Sequence, residues 1–196
     1  MWSFCWLGVL PSLAFFAAST PGVSQPAPSQ PYAGLQMREI KALSDEEIAD
    51  LRAGRGMGMA LPAELNGYPG PSHVLELAAQ LGLSEQQRGN VQTLFNSMKA
   101  EAVPIGQRLL AAEQALNWQF VERGITPERL KAATAEIGAI RSELRYTHLK
   151  YHLSTATLLT PDQIRQYAEL RGYTAGMPSH GGHVPSMTGA TPHQHK

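Results

Sequence analysis

Residues 84–123, SEQQRGNVQTLFNSMKAEAVPIGQRLLAAEQALNWQFVER, decide the fold class of this chain. Their apolar side chains recur every three or four residues, which places them on one face of an α-helix. This stripe consists of Val91, Leu94, Met98, Ala102, Ile105, Leu109, Ala112, Leu116 and Phe120. Pro104 and Gly106 interrupt the stripe without changing its phase, so the segment is predicted to be one long helix with a kink.

A second long helix is predicted to begin at Thr126-Pro127, because proline is favoured at the first position of a helix. The turn at Arg123-Gly124 makes the two helices antiparallel neighbours. The apolar face of the second helix consists of Leu130, Ala133, Ile137, Ile140, Leu144 and Tyr151. Shorter helices are predicted at 44–53, at 72–81 and from Thr160 to Arg171. No segment alternates with period two, so the predicted fold is all-α, a long antiparallel helical hairpin with shorter flanking helices.

The apolar faces of the two long helices are too wide for a single hairpin to bury. We therefore expect a second copy of the chain, in a cradle-like or bundle-like homodimer. A closed monomeric bundle is the alternative.

The ends of the chain differ in composition from its middle. Residues 1–19 are apolar, contain no charged side chain and end in small residues, which is typical of a secretory signal peptide. An uncleaved membrane anchor is the alternative. A linker rich in Pro, Ser and Gln is predicted at 20–37, the helical domain at 38–173, and a disordered tail containing His and Met at 174–196. These segments predict export to the periplasm.

Composition excludes several classes of function. Sixteen basic residues balance sixteen acidic ones, so no net field attracts nucleic acid. The single cysteine, Cys5, lies in the predicted signal peptide, which leaves the mature chain without a thiol. Metalloprotease, serine-hydrolase and phosphate-loop motifs are absent from the sequence. The protein is therefore predicted not to be an enzyme.

Two short motifs of the form Leu-(Ser/Thr)-x-x-Gln flank the predicted hairpin, at 83–87 and 159–163. In each motif the hydroxyl can cap a helix, and the glutamine can reach back to the amide of the capping residue. Structural roles are therefore predicted for Leu83, Ser84, Gln87, Leu159, Thr160 and Gln163.

In their order and spacing, the motifs LGLSEQQ and LLTPDQIRQYAELRG resemble those of the Spy/CpxP family, the periplasmic LTxxQ-motif proteins. The resemblance covers roughly residues 72–173, and the first motif has Ser where the family pattern has Thr. It implies an all-α, cradle-shaped dimer that binds unfolded or misfolded polypeptides without ATP. It also implies a role in envelope stress signalling, with a sensor kinase as a further partner, and metal binding in some branches.

Apolar helical stripes interleaved with Arg and Lys can hold the exposed hydrophobic segments of an unfolded client. The candidate client-binding residues are Leu94, Met98, Ile105, Leu109, Ile137 and Leu144. The alternative is that these side chains simply form the core.

Metal binding is the alternative function, in a periplasmic metal-binding or metal-sensing stress protein. His148 and His152 are spaced i and i+4, which puts both rings on one helix face. Glu143, His73 or a second subunit would have to complete the ligand set, since two ligands do not make a tight site. The tail adds His180, His183, His193 and His195 as candidate ligands. No cofactor is required by this prediction, and Zn, Cu, Ni or Co are the metals that these side chains suit.

Overall fold

The computed structural model describes residues 30–174, and these residues contain helices and turns but no β-strand. A short 3-10 helix at Leu35–Met37 precedes the first α-helix. The helices are α1 (Asp45–Ala53), α2 (Leu61–Glu64), α3 (Pro71–Glu76), α4 (Glu85–Val121), α5 (Pro127–Ala156) and α6 (Pro161–Leu170). The all-α prediction is confirmed. Within this part of the chain, no helix has both the length and the apolar character needed to cross a membrane. The predicted signal peptide, the linker up to residue 29 and the tail from residue 175 lie outside the described residues.

The two long helices form the predicted antiparallel hairpin. Helix α4 runs through Pro104 for 37 residues, and α5 has 30. Three ion pairs join the two helices. Residues further along α4 pair with residues nearer the start of α5, as antiparallel helices require. These pairs are Glu101 with Lys150, Arg108 with Glu143 (3.0 Å) and Glu113 with Arg141 (2.6 Å).

The flanking helices near the N-terminal side differ from the prediction. The helix predicted at 72–81 ends at Glu76, and turns follow as far as Gly82. These turns let Leu81 fold back into a cluster with Val74, Val91, Leu159 and Tyr167, which a straight helix would not allow. The short helix α2 was not predicted, because its four residues are too few to show a helical period.

The core of the hairpin is completed by the segment that contains α1. Ile48 and Leu51 of α1 pack with the apolar faces of both long helices, and Ile40 and Leu43 join them from the preceding turns. The middle of these two apolar faces is thus buried within a single chain, from Ala102 to Leu109 on α4 and from Ile137 to Leu144 on α5. The homodimer stays a prediction, but it needs another surface.

Helix α1 crosses α4 at Gly106, which is buried. A Cβ built on Gly106 would lie only 2.4 Å from the carbonyl oxygen of Leu51. Just beyond this crossing, Gly54 ends α1 in the left-handed conformation (φ 64°), and its amide donates back to carbonyl groups of the helix. The glycine that interrupts the α4 stripe is therefore the place where the two backbones touch.

The Leu-(Ser/Thr)-x-x-Gln motifs begin α4 and α6, as predicted. Ser84 Oγ accepts the amide of Gln87 (3.1 Å), and Gln87 Oε1 accepts the amide of Ser84 (3.0 Å). Thr160 and Gln163 repeat the arrangement at 3.2 and 2.9 Å. Leu159 before the second cap is buried in the same cluster that Ile164 packs against, as expected for a hydrophobic staple.

The two motif glutamines also bind each other. Gln87 Nε2 donates to Gln163 Oε1 (2.9 Å), and Gln163 Nε2 donates back to Gln87 Oε1 (3.3 Å). Each amide additionally donates to a backbone carbonyl, that of Leu158 for Gln87 (2.9 Å) and that of Leu81 for Gln163 (3.3 Å). The start of α4 is thereby tied to the start of α6, so the paired motifs act as one structural unit.

Candidate functional site

Five of the six candidate client-binding residues lie in the interior. Ile105, Leu109, Ile137 and Leu144 belong to the core that α1 covers, and each is at most 8% exposed. Met98 is buried as well, and Leu94 is half-buried beside a shallow groove. In this conformation the four core side chains can reach a client only if α1 moves away from the hairpin.

Large apolar side chains are exposed at the far end of the hairpin instead. Trp118, Phe120 and Val121 are each more than half exposed, and Leu130 on α5 is 37% exposed. The buried apolar core under α1 ends at Leu109 on α4 and Ile137 on α5. Helical period alone placed Phe120 and Leu130 on inward faces, because it does not show where the covering helix stops.

A cleft of about 470 Å³ lies between the α1–α2 loop, the start of α3 and the hairpin. Its volume is in the range of small-molecule binding sites, roughly 300–1,000 Å³. The side chains most relevant to its chemistry are His73, His148, His152, Phe95, Met98 and Lys99. The cleft therefore unites the predicted histidine pair with residues of α3 and α4.

Glu64, which is 5% exposed, fixes one wall of the cleft. Its carboxylate accepts hydrogen bonds from His73 Nδ1 (3.3 Å), the Gly70 amide (3.2 Å), the Tyr173 hydroxyl (3.1 Å) and the Tyr167 hydroxyl. Burial raises the pKa of Glu64, but the hydrogen bonds from His73 and Tyr167 outweigh it and hold the pKa at about 2. Burial, then the adjacent Glu64, raise the pKa of the Tyr167 hydroxyl. Glu64 is thus an anion surrounded by donors.

The ring of His152 is fixed by its backbone contacts. Its Nδ1 lies 2.7 Å from the carbonyl oxygen of Tyr68, so Nδ1 carries the proton and donates. Glu64 Oε2 lies 3.6 Å from the same nitrogen. A Cβ built on Gly70 would lie 2.8 Å from His152 Nε2, which explains why a glycine precedes α3. The ring therefore presents Nε2 toward the start of α3.

His148 is the unusual member of the cleft. It is 2% exposed, and its Nε2 has no hydrogen-bond partner within residues 30–174. Burial, and then the neighbouring His152, lower the pKa of His148, so the ring is neutral at pH 7. On its other side, a Cβ built on Gly56 would lie 3.6 Å from Nδ1. The cleft thus contains a buried neutral imidazole with an unused nitrogen.

The structure brings together only some of the candidate metal ligands. His73 lines the same cleft as His148 and His152, whereas Glu143 pairs with Arg108. In the described part of the chain, no three His, Cys, Asp or Glu side chains are placed to hold a metal ion. His180, His183, His193 and His195 lie outside the described residues. Metal binding stays a prediction.

No family model matches this sequence, and neither curated proteins nor solved structures show a match to it.

Proposed function

We propose that this protein is an exported, ATP-independent chaperone-like protein that binds unfolded polypeptides on the uncovered end of its helical hairpin. The observation that carries the proposal is the group of exposed apolar side chains Trp118, Phe120, Val121 and Leu130, here called the hairpin-end surface. Apolar surface of this kind marks binding sites for other chains, and aromatic side chains supply large contact area there.

Charged side chains surround the hairpin-end surface. Arg123, Arg129 and Lys131 lie in the turn and at the start of α5, and all three are exposed. Arg129 donates to the carbonyl of Gly124 (2.8 Å), which holds its guanidinium over the turn. Long basic side chains near exposed apolar groups suit loose contact with many different unfolded segments. This supports binding without strict sequence preference.

Loss of the aromatic side chains should weaken client binding without unfolding the protein. In the double variant Trp118→Ser/Phe120→Ser we expect suppression of aggregation to fall to less than about half of the unmodified level, because hydrophobic contact scales with apolar area. The measurement is light scattering of a chemically denatured client, with stoichiometric protein and no ATP.

The matched control is Leu61→Ser/Leu170→Ser, which removes two apolar side chains of similar exposure away from the hairpin end. This control should protect the client as well as the unmodified protein does. If the unmodified protein fails to suppress aggregation, the chaperone proposal is lost. If both double variants lose protection equally, the hairpin-end surface is not the binding site.

A surface on α5 supports the proposed homodimer. Small and apolar residues follow each other at alternating steps of three and four, and all are exposed or half-exposed in the single chain. They are Ala132, Ala135, Ala139, Ser142, Tyr146, Leu149, Leu153 and Ala156. A heptad spacing of this kind matches the face of a second helix, and small residues allow two helices to approach closely.

The variant Leu153→Glu should shift the protein from dimer to monomer, since the change places a charge in the apolar seam. Sedimentation velocity measures the shift, and Leu170→Glu on α6 is the control for a charge introduced at an exposed leucine. A monomeric unmodified protein, or a Leu153→Glu protein that stays dimeric, would contradict the proposed seam.

A further inference from the structure

The α5 face proposed for the homodimer divides into a half with small side chains and a half with large ones. Four exposed small residues come first, namely Ala132, Ala135, Ala139 and Ser142. Three large residues follow, namely Tyr146, Leu149 and Leu153, and Ala156 ends the face. Tyr146 is 66% exposed and Leu153 is 55% exposed, so most of the large half is open to solvent.

A second α5 helix that runs in the same direction does not fit this division. In a parallel pair with two-fold symmetry, each residue lies against its own copy. Tyr146 and Leu153 would then face themselves and hold the helix axes apart, whereas the small half packs only when the axes are close. Either the large half clashes or the small half leaves a gap, and both arrangements cost stability.

A second α5 helix that runs in the opposite direction fits along the whole face. When the two-fold axis is level with Leu144, all eight positions are used. They form the pairs Ser142 with Tyr146, Ala139 with Leu149, Ala135 with Leu153 and Ala132 with Ala156, and each pair occurs twice. Three of these four pairs combine a small residue with a large one, which is how facing layers interdigitate. The face is therefore complementary in size to its own copy.

This register sets the distance between the two hairpin-end surfaces of a dimer. Leu130 of the hairpin-end surface precedes Leu144 by 14 residues, which is about 21 Å of helix at about 1.5 Å per residue. Leu130 of the partner subunit lies equally far from the axis in the opposite direction. The two hairpin-end surfaces are therefore about 42 Å apart along the seam, at opposite ends of the dimer.

We propose that α5 pairs with its second copy in this antiparallel register, and that one unfolded client bridges the two hairpin-end surfaces of the dimer. The partner that fits is a polypeptide with two apolar segments, separated by at least about 12 extended residues so that it spans about 42 Å. Binding of the second segment is then intramolecular, which raises the affinity without a new kind of contact. Bridging rests on the proposed client binding and on the proposed homodimer.

The orientation of the two helices is measured by the distance between two spin labels in the full-length dimer. The labelled protein is Cys5→Ser/Lys131→Cys, which carries one thiol, on an exposed residue near the start of α5. Antiparallel pairing predicts a separation of about 40 Å between the labelled positions. A parallel pair would bring them within about 20 Å, because packed helices lie only about 10 Å apart. A short distance overturns the proposal, and so does the absence of a dipolar signal, which would mean a monomer.

Exchange of one facing pair tests the register. Ala139→Leu should weaken dimerisation at least about tenfold, because it puts a leucine against Leu149 of the partner subunit. Leu149→Ala should weaken dimerisation by leaving a gap. The double variant Ala139→Leu/Leu149→Ala again sets a small residue against a large one and should recover most of the loss in sedimentation equilibrium. A double variant that dimerises no better than the weaker single variant overturns the register.

Bridging is tested with three fluorescent peptides that share the apolar segment Leu-Phe-Ala-Leu-Phe. One peptide has a single segment, one has two segments joined by Gly-Ser, and one has two segments joined by about 30 residues of Gly and Ser. The short linker keeps the segment centres within about 25 Å, whereas the long linker has an average span of about 30 Å and extends well beyond 42 Å. Fluorescence anisotropy should show that the long-linker peptide binds at least about tenfold more tightly than the short-linker peptide.

The monomeric variant Leu153→Glu should abolish this difference in affinity, whereas the control Leu170→Glu should keep it. If the two double-segment peptides bind the unmodified dimer equally, bridging is wrong although client binding stands. A difference that persists in Leu153→Glu also contradicts bridging, since one hairpin-end surface cannot be spanned. If the peptides do not bind at all, the chaperone proposal itself fails.

Discussion

Replacement of Gly106 by alanine should lower the free energy of unfolding by about 2–3 kcal/mol, although alanine is the better helix former. The added methyl group would lie 2.4 Å from the carbonyl oxygen of Leu51, a backbone atom that cannot turn aside as a side chain can. Helix α1 must then move away from α4. That movement loosens the packing of Ile48 and Leu51 on the hairpin.

Gly138→Ala is the matched control, because it makes the same change within a long helix. Gly138 lies on the exposed side of α5, and a Cβ there meets nothing within 4 Å. This variant should gain about 0.5–1 kcal/mol from helix propensity alone. Urea unfolding followed by circular dichroism measures both proteins. Equal shifts in the same direction would show that α1 does not press on α4 at Gly106.

Gly106 illustrates which features of this fold could be predicted from the sequence and which could not. The stripe of α4, the caps at Ser84 and Thr160, and the hairpin follow from local patterns and are confirmed. Period and capping are properties of one helix, however, and they do not show which other helix covers a face. Gly106 could therefore be recognised only as an interruption, and the sequence left open whether a second copy or another part of the same chain covers these faces.

The candidate site was less predictable, because its contacts join distant parts of the chain. The spacing of His148 and His152 marks them as a pair, and His73 is one of the residues that could complete their ligand set. Glu64 could not be recognised, since its hydroxyl partners Tyr167 and Tyr173 lie 103 and 109 residues away. Nor could the sequence show that Lys99 and Phe95 face the histidines across one cleft.

Glu64→Gln should lower the free energy of unfolding at pH 7 by about 3 kcal/mol. The pKa of Glu64 falls from its ordinary value of 4.5 to about 2 in the folded protein. Each unit of pKa difference between the folded and unfolded states corresponds to about 1.4 kcal/mol. Glutamine has the same shape as glutamate but carries no charge. Its NH₂ group would also replace one of the two acceptor oxygens, and it would face the donors of Gly70, His73 and Tyr167.

The lowered pKa of Glu64 also determines how the free energy of unfolding changes with pH. Because the folded pKa is the lower one, the unfolded chain takes up the proton first as the pH falls. The contribution of Glu64 is therefore complete above about pH 4.5 and is lost progressively as the pH falls toward 2. The unmodified protein should lose stability across that window, and the Glu64→Gln protein should lose about 3 kcal/mol less.

Urea unfolding at a series of pH values measures both the loss of stability at pH 7 and the pH dependence. The control is Glu169→Gln, which replaces an exposed carboxylate on α6. It should change the free energy of unfolding by less than about 0.5 kcal/mol. Parallel pH profiles for the unmodified and Glu64→Gln proteins would mean that the carboxylate is not held by these donors. A profile that flattens only in Glu64→Gln would instead show that one buried anion holds α2 against α3 and α6. Since His73 and Tyr167 contact that anion directly, the wall of the cleft should loosen in the same pH window.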